Sequence, residues 1–323
     1  MTAPSAAPPR PPSRFKAALA KMAAGSVLTS VLAVVVALAV GGLLIIAADA
    51  DVQRAAAYLF ARPGDFFAAA WEAVASAYAA LFQGAVVNVS TARAAGQVFA
   101  PLWDTVAMGV PLIFAGLGLG IGFRAGLFNI GAQGQIVLGA ILCGYIGFAW
   151  HLPAGLHVVA CLAGAVVGGA VWGFIPGLLK AKTGANEVIV TIMLNSIAGF
   201  FLGWLLTLSA FRRPGSNNPV SPAVDVTARL PAFFGTPVNL GFLLAVAAAV
   251  AVWWLMERST LGFRIRAVGA NQDAARTAGM SVAAATVWVM VISGALAGLA
   301  ATSQLLSSPE QQLNAGIAGT FGF

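Results

Sequence analysis

The chain has 323 residues, of which 60% are hydrophobic and only 8% charged, with a mean hydropathy of +0.90 and a formal net charge of +7. A water-soluble domain carries roughly 25% charged residues because water must solvate its surface, so a soluble globular fold, a disordered chain and a disulfide-stapled secreted domain are excluded together. The medium is lipid, and the expected fold class is all-α and polytopic, since a helix satisfies its own backbone in hydrocarbon.

Residues 1–22 begin with a Pro-, Ala- and Ser-rich stretch and read as a disordered cytoplasmic tail. Residues 23–323 form the transmembrane domain. A span needs about 20 mostly apolar residues, and the charge-free intervals predict seven helices, near 27–48, 105–122, 130–150, 157–179, 188–208, 241–256 and 283–306. The run at 27–48 is too long for the apolar region of a signal peptide, so an uncleaved first helix is expected. Residues 49–101 are read as an extracytoplasmic insertion. There Phe66, Phe67, Trp71, Tyr78 and Phe82 are spaced as on an amphipathic helix lying at the outer interface, with a short eighth span as the alternative. The longest interior loop is 257–280.

Orientation follows from Lys and Arg, which favour the cytoplasmic side. With the amino terminus inside, Arg10, Arg14, Lys16, Lys21, Arg124, Lys180, Lys182, Arg258, Arg264, Arg266 and Arg276 are cytoplasmic, against Arg54, Arg62, Arg93, Arg212, Arg213 and Arg229 outside. This asymmetry accounts for the basic pI, and no nucleic-acid partner is implied. The sequence holds no Gly-Lys dipeptide, hence no Walker A phosphate loop, and no His-Glu-x-x-His zinc motif. Paired carboxylates and His clusters are missing from the spans, so neither an enzyme nor a metal or other cofactor is expected. Cys143 and Cys161 read as small buried apolar residues, and His151 and His157 as interfacial polar residues beside an outer turn. The glycines at 116, 118, 120 and 122, and those at 164, 168, 173 and 177, are expected to let helices pack closely.

Three segments carry polarity that a lipid-facing helix would not. In GLFNIGAQG, residues 126–134, and the following Gln135, the amides of Asn129, Gln133 and Gln135 must face protein or water. Gly131 and Gly134 weaken helical continuity, as in broken helices that line solute pathways. A helix–helix amide network and a pathway lining both fit. In ANEVIVTIMLN, residues 185–195, Asn186 and Glu187 suit a helix N-terminus, while Thr191 and Asn195 share a face one turn apart and suit a pathway or an interface. In LGFRIRAVGANQDAARTAGM, residues 261–280, Arg264, Arg266, Asp273 and Arg276 surround a short helix that Asn271 would cap and Gly279 would stop. Ala274, Ala275 and Ala278 would give it a small-residue face for a docking partner.

Read together, these three motifs resemble the permease subunits of ATP-binding-cassette importers, in the branch that handles nucleosides and simple sugars and is related to ribose and branched-chain amino acid permeases. The resemblance covers roughly residues 102–323. It implies a plasma-membrane protein in a dimeric, usually heterodimeric, permease core, two separate cytoplasmic ATPase subunits and an extracytoplasmic solute-binding lipoprotein. It also implies that the loop at 261–280, with Arg264, Arg266, Asn271, Asp273, Ala274, Ala275, Arg276 and Gly279, couples to the ATPase. The pathway candidates are Asn129, Gln133, Gln135, Thr191 and Asn195. Relatives commonly carry an acid where Gln133 stands. They also continue beyond the terminal GTFGF, so further C-terminal helices are expected to be missing here. An ion-coupled secondary transporter or channel is the rival reading, opposed by the lack of ionisable groups in mid-span.

Overall fold

The computed structural model describes residues 26–88, 98–233, 235–307 and 311–319; the expected tail at 1–22 lies outside them. Among the described residues the secondary structure is helical, with no strand. In chain order the helices are α1 (Ser26–Ala48), α2 (Ala50–Ala56), α3 (Pro63–Ala85), α4 (Ala100–Arg124), α5 (Ala132–Ala149), α6 (Leu156–Thr183), α7 (Glu187–Leu205), α8 (Leu240–Arg258), α9 (Thr260–Ala270), α10 (Gln272–Thr277) and α11 (Val282–Leu305). Seven of them, α1, α4 to α8 and α11, are long and apolar enough to cross a membrane. These are the seven spans expected from the charge-free intervals. The chain is a multi-pass membrane protein.

The chain divides into two compact units, residues 1–85 and 86–323. In the first, Asp49 ends α1 and caps α2, its Oδ1 accepting the amides of Asp51 and Val52 at 2.9 and 3.0 Å. The aromatic stretch expected to be helical is α3. Its Tyr78 hydroxyl donates to the carbonyl of Leu38 in α1, and Phe67, Trp71 and Phe82 are exposed.

The second unit is built on α4, α5, α6 and α11, with α7 packed on α5 and α6 and α8 on α4. Glycine sets how close these helices come. Gly168 and Gly169 are adjacent in α6 yet serve different neighbours: a Cβ on Gly168 would stand 2.3 Å from the Leu138 carbonyl oxygen of α5, and one on Gly169 would stand 2.1 Å from the Gly294 carbonyl oxygen of α11. Gly298 and Gly173 complete the α6–α11 contact against Ala165 and Met290. In α4 only part of the glycine run is used this way. Gly118 meets Ser293 and Gly122 meets Leu127, whereas Gly116 and Gly120, half a turn away, have nothing within 4 Å.

At one end of this unit the chain after α11 folds back. Ser221 and Leu313 exchange bonds, Ser221 N–H to Leu313 O at 3.0 Å and Leu313 N–H to Ser221 Oγ at 2.8 Å. Leu313 is fully buried against Gly144 and Leu305. His151 sits on the same end, its Nδ1 3.1 Å from Asp225 Oδ2, and this contact holds the Asp225 carboxyl below the usual carboxylate range. His157, expected as an interfacial polar residue beside an outer turn, stands in the first turn of α6. It is fully buried, with Nδ1 at 2.7 Å from Thr227 Oγ1 and Nε2 at 3.0 Å from the Ile146 carbonyl. Cys143 and Cys161 are both buried free thiols.

The glycine contacts predict a selective sensitivity. Gly169→Leu drives a side chain into the α11 backbone and should cost at least the 1–3 kcal/mol typical, roughly, of overpacking, lowering the thermal midpoint in detergent. Gly116→Leu, facing open space, should leave that midpoint unchanged. Equal melting of the two variants would contradict the packing.

Candidate functional site

The polar centre of the second unit is the break between α4 and α5. Gly126, at φ +70°, ends α4 in the left-handed region that glycine adopts without strain. The Leu127 N–H then returns to the Gly122 carbonyl at 2.9 Å and the Gly126 N–H to the Phe123 carbonyl at 3.1 Å, a Schellman stop. The chain next turns inward. Asn129 is 3% exposed and donates from Nδ2 to Ser293 Oγ at 2.7 Å and to Gln135 Oε1 at 3.1 Å, while its Oδ1 accepts the Gly131 amide at 2.9 Å. Ser293 is halfway along α11, about 16 Å from its first residue at 1.5 Å per residue. The break therefore reaches into the membrane interior.

A second clamp comes from α7. Asn195 Oδ1 accepts the Gly134 amide at 2.9 Å and its Nδ2 donates to the Ile130 carbonyl at 2.8 Å. Thr191 is buried, and its hydroxyl returns to the carbonyls of Glu187 and Val188 within its own helix. A Cβ on Gly131 would stand 2.9 Å from Thr191 Cβ, so glycine is what allows the break to approach α7 here. Asn186 caps α7 as its residue type suggested, accepting the Val188 amide at 2.9 Å, and Glu187 binds Lys180 Nζ at 2.6 Å.

The structure thus brings four of the five pathway candidates, Asn129, Gln135, Thr191 and Asn195, into one region; the amides of Asn129, Gln135 and Asn195 are spent in holding the break and the Thr191 hydroxyl within its own helix. Gln133 differs: it is half-buried, and among the described residues it engages no hydrogen-bond partner. The indole Nε1 of Trp172 in α6 is also buried without a partner, next to Gly134 and Asn195. Trp172 was not singled out from the sequence. The available signal was an indole N–H in mid-span, a donor that needs an acceptor once it leaves water.

At the other polar site, the junction of α8, α9, α10 and α11 encloses a notch of about 720 Å³ lined by Glu257, Arg258, Phe263, Arg264, Arg266, Gly279 and Met280 among others. Glu257 bridges it, 3.5 Å from Arg124 Nη1 and 3.8 Å from Arg266 Nη1. Arg258 and Arg264 are exposed, as is the Phe263 ring. Asn271 caps α10 by accepting the amides of Asp273 and Ala274 at 3.0 and 2.9 Å, and Gly279 follows that helix at φ +78°, as expected. Asp273 and Arg276 pair along α10 at 3.4 Å, both exposed. Ala275 does not join Ala274 and Ala278 on an outer face. It is 4% exposed, packed with Val268 and Ala285, so the docking face lacks it. Arg258 and Phe263 line the notch although the sequence reading left them out.

Spans around a pinned break, with a cationic notch at one end, define a polytopic membrane transport subunit. Residues 102–322 match the family described as branched-chain amino acid transport system / permease component, and the chain belongs to that family. It is 36% identical over 260 residues to the guanosine ABC transporter permease protein NupP of Bacillus subtilis, covering 77% of this chain and 68% of the relative. It is 33% identical over 306 residues to the glucose ABC transporter permease protein TsgB13 of Haloferax volcanii, covering 91% and 72%. The nucleoside ABC transporter permease protein NupB of Lactococcus lactis is 35% identical over 200 residues, 58% of this chain and 54% of the relative. No solved structure matches the chain. The chain is a permease of the ATP-binding-cassette class and not an enzyme.

Asn129→Leu removes the partner of the Gly131 amide, the Gln135 amide and the Ser293 hydroxyl at once. Each buried group left unsatisfied costs about 1–3 kcal/mol, so the thermal midpoint in lipid nanodiscs should fall well below that of the parent. Gln133→Leu, with no bond to lose, should melt with the parent. A Gln133→Leu loss matching that of Asn129→Leu would reverse these assignments.

Proposed function

We propose that this chain forms part of the translocation pathway for a nucleoside or simple sugar, and that the half-buried Gln133 presents the hydrogen-bonding groups the solute meets. The observation that carries this reading is the contrast within one cluster: Asn129, Gln135, Thr191 and Asn195 spend their polar groups on the protein, whereas the Gln133 amide has no partner among the described residues. A neutral amide suits a neutral polyhydroxyl or heterocyclic solute, since it offers donors and an acceptor without an uncompensated charge in the membrane. The guanosine, nucleoside and glucose permeases among the relatives point to the same solute class. Asn129, Gln135, Thr191 and Asn195 then act as positioning residues that keep the break in place.

The working partners in this reading are cytoplasmic ATPase subunits, an extracytoplasmic solute-binding protein and a second, different permease. The last is supported by the guanosine permeases NupP and NupQ of Bacillus subtilis, which both match this chain. The amino terminus is cytoplasmic by the distribution of Lys and Arg. The notch receives the ATPase, with Arg258, Arg264 and Arg266 offering cations and Phe263 and Met280 an apolar seat, and with Asn271, Asp273, Ala274, Arg276 and Gly279 on or beside α10 at its edge. Movement of the ATPases is transmitted through α8 to α11 and switches the side to which Gln133 is open. The rival ion-coupled carrier finds no support in the spans, whose charged residues, such as Arg124, Glu187, Glu257 and Arg258, stand at helix ends.

Uptake of labelled guanosine and glucose by vesicles carrying the whole complex tests this. Gln133→Ala removes a hydrogen bond worth roughly 0.5–1.5 kcal/mol, so the concentration for half-maximal uptake should rise about two- to twelvefold with assembly intact. Arg264→Glu should abolish solute-stimulated ATP hydrolysis and leave solute binding unchanged. Uptake that ignores ATP but collapses with an ion gradient would overturn the proposal.

A further inference from the structure

We infer that the second half of α3, residues 73–85, lies within the hydrocarbon of the membrane alongside α1, with lipid covering its exposed apolar face, and not on the membrane surface as its amphipathic spacing suggested.

α1 is the most apolar span, and only 6% of its window is buried by protein. Leu38 stands ten residues before the end of α1 at Ala48, about 15 Å at the helical rise. That is close to the middle of a hydrocarbon layer roughly 30 Å thick. The Tyr78 hydroxyl donates to the Leu38 carbonyl, and a Cβ on Gly41 would come within 3.0 Å of the same hydroxyl. Val74, one turn earlier in α3, lies beside Gly42, further toward the end of α1. The two helices are therefore antiparallel, and Tyr78 sits as deep as Leu38.

The chemistry of α3 changes with that depth. Asp65 and Glu72 fall in its first half, and no charged residue stands between Glu72 and Arg93. Trp71, seven residues before Tyr78, is about 10 Å nearer the end of α1, where interfacial tryptophans gather. It is 75% exposed. Beyond Glu72 every polar side chain of α3 is engaged: Ser76 donates to the Ala73 carbonyl at 3.1 Å, Tyr78 to Leu38, and Gln83 also has a partner. A helix lying flat would turn such groups to water, but in hydrocarbon they must be satisfied within the protein. What remains outward is apolar, with Leu81 67% and Phe82 60% exposed.

Nitroxide labels on single cysteines of the full chain in proteoliposomes test the inference, with the unsubstituted chain as background for Cys143 and Cys161. Labels at Phe67→Cys, Trp71→Cys, Leu81→Cys and Phe82→Cys are read by collision with oxygen and with a water-soluble nickel chelate. The oxygen-to-nickel ratio should climb several-fold from position 67 to position 82. Strong nickel collision at position 82 would place α3 on the surface, and weak collision with both reagents would mean that protein covers it; either overturns the proposal. An impermeant maleimide gives an independent reading: Phe82→Cys should resist labelling from both sides, and its rapid labelling from either would refute the insertion.

Discussion

Asn129 is the side chain on which the second unit turns. Between the Schellman stop of α4 and the start of α5, the backbone leaves helical geometry at a depth where water offers no alternative partner. Asn129 answers with both halves of its carboxamide, the oxygen taking the Gly131 amide and the nitrogen reaching Gln135 and Ser293. Without it, the Gly131 amide at the start of α5 would be left unpaired in the membrane. The second clamp from Asn195 works in the same way on Gly134 and Ile130. Together they tie α5 to α7 on one side and to α11 on the other.

Close helix approach is what makes those bonds reachable. Because α6 meets α5 through Gly168 and α11 through Gly169, Gly173 and Gly298, these helices form a frame with backbone-to-backbone contacts. Gly118 lets α4 approach Ser293, the residue that Asn129 then uses. At one end of this frame α9 and α10 carry the cationic notch. The architecture is thus a closely packed core with a cationic notch at one end and, inside, the Trp172 indole N–H without a partner.

The seven spans were legible in the sequence because solvation governs them: a charge in hydrocarbon is costly, so its absence over 20 residues is informative. Helix caps were legible for a similar local reason, since Asn186 and Asn271 each bond amides two and three residues away. What failed to show were partnerships across long stretches of chain. Nothing beside Trp172 in sequence reveals that its indole lies against Gly134, and nothing around His157 announces Thr227, 70 residues on. The amides of the break were read as a helix–helix network or a pathway lining, and only the structure shows that those of Asn129 and Gln135 bond to the protein while that of Gln133 has no partner among the described residues. Two alanines on a six-residue helix and a third just past its end define no face until the neighbour is known, which is why Ala275 was assigned outward although Val268 and Ala285 cover it. The glycine run of α4 shows the same limit: only members four apart share a face, so Gly118 and Gly122 pack and Gly116 and Gly120 do not.

Hydrogen exchange measures the central claim directly. In lipid nanodiscs, the segment 125–135 has no helical ladder of its own until α5 begins, yet the Gly131 and Gly134 amides are bonded and enclosed. They should exchange over hours, as slowly as the buried half of α11. Exchange within seconds, at the pace of an open connecting loop, would show that the break is not held in the membrane interior.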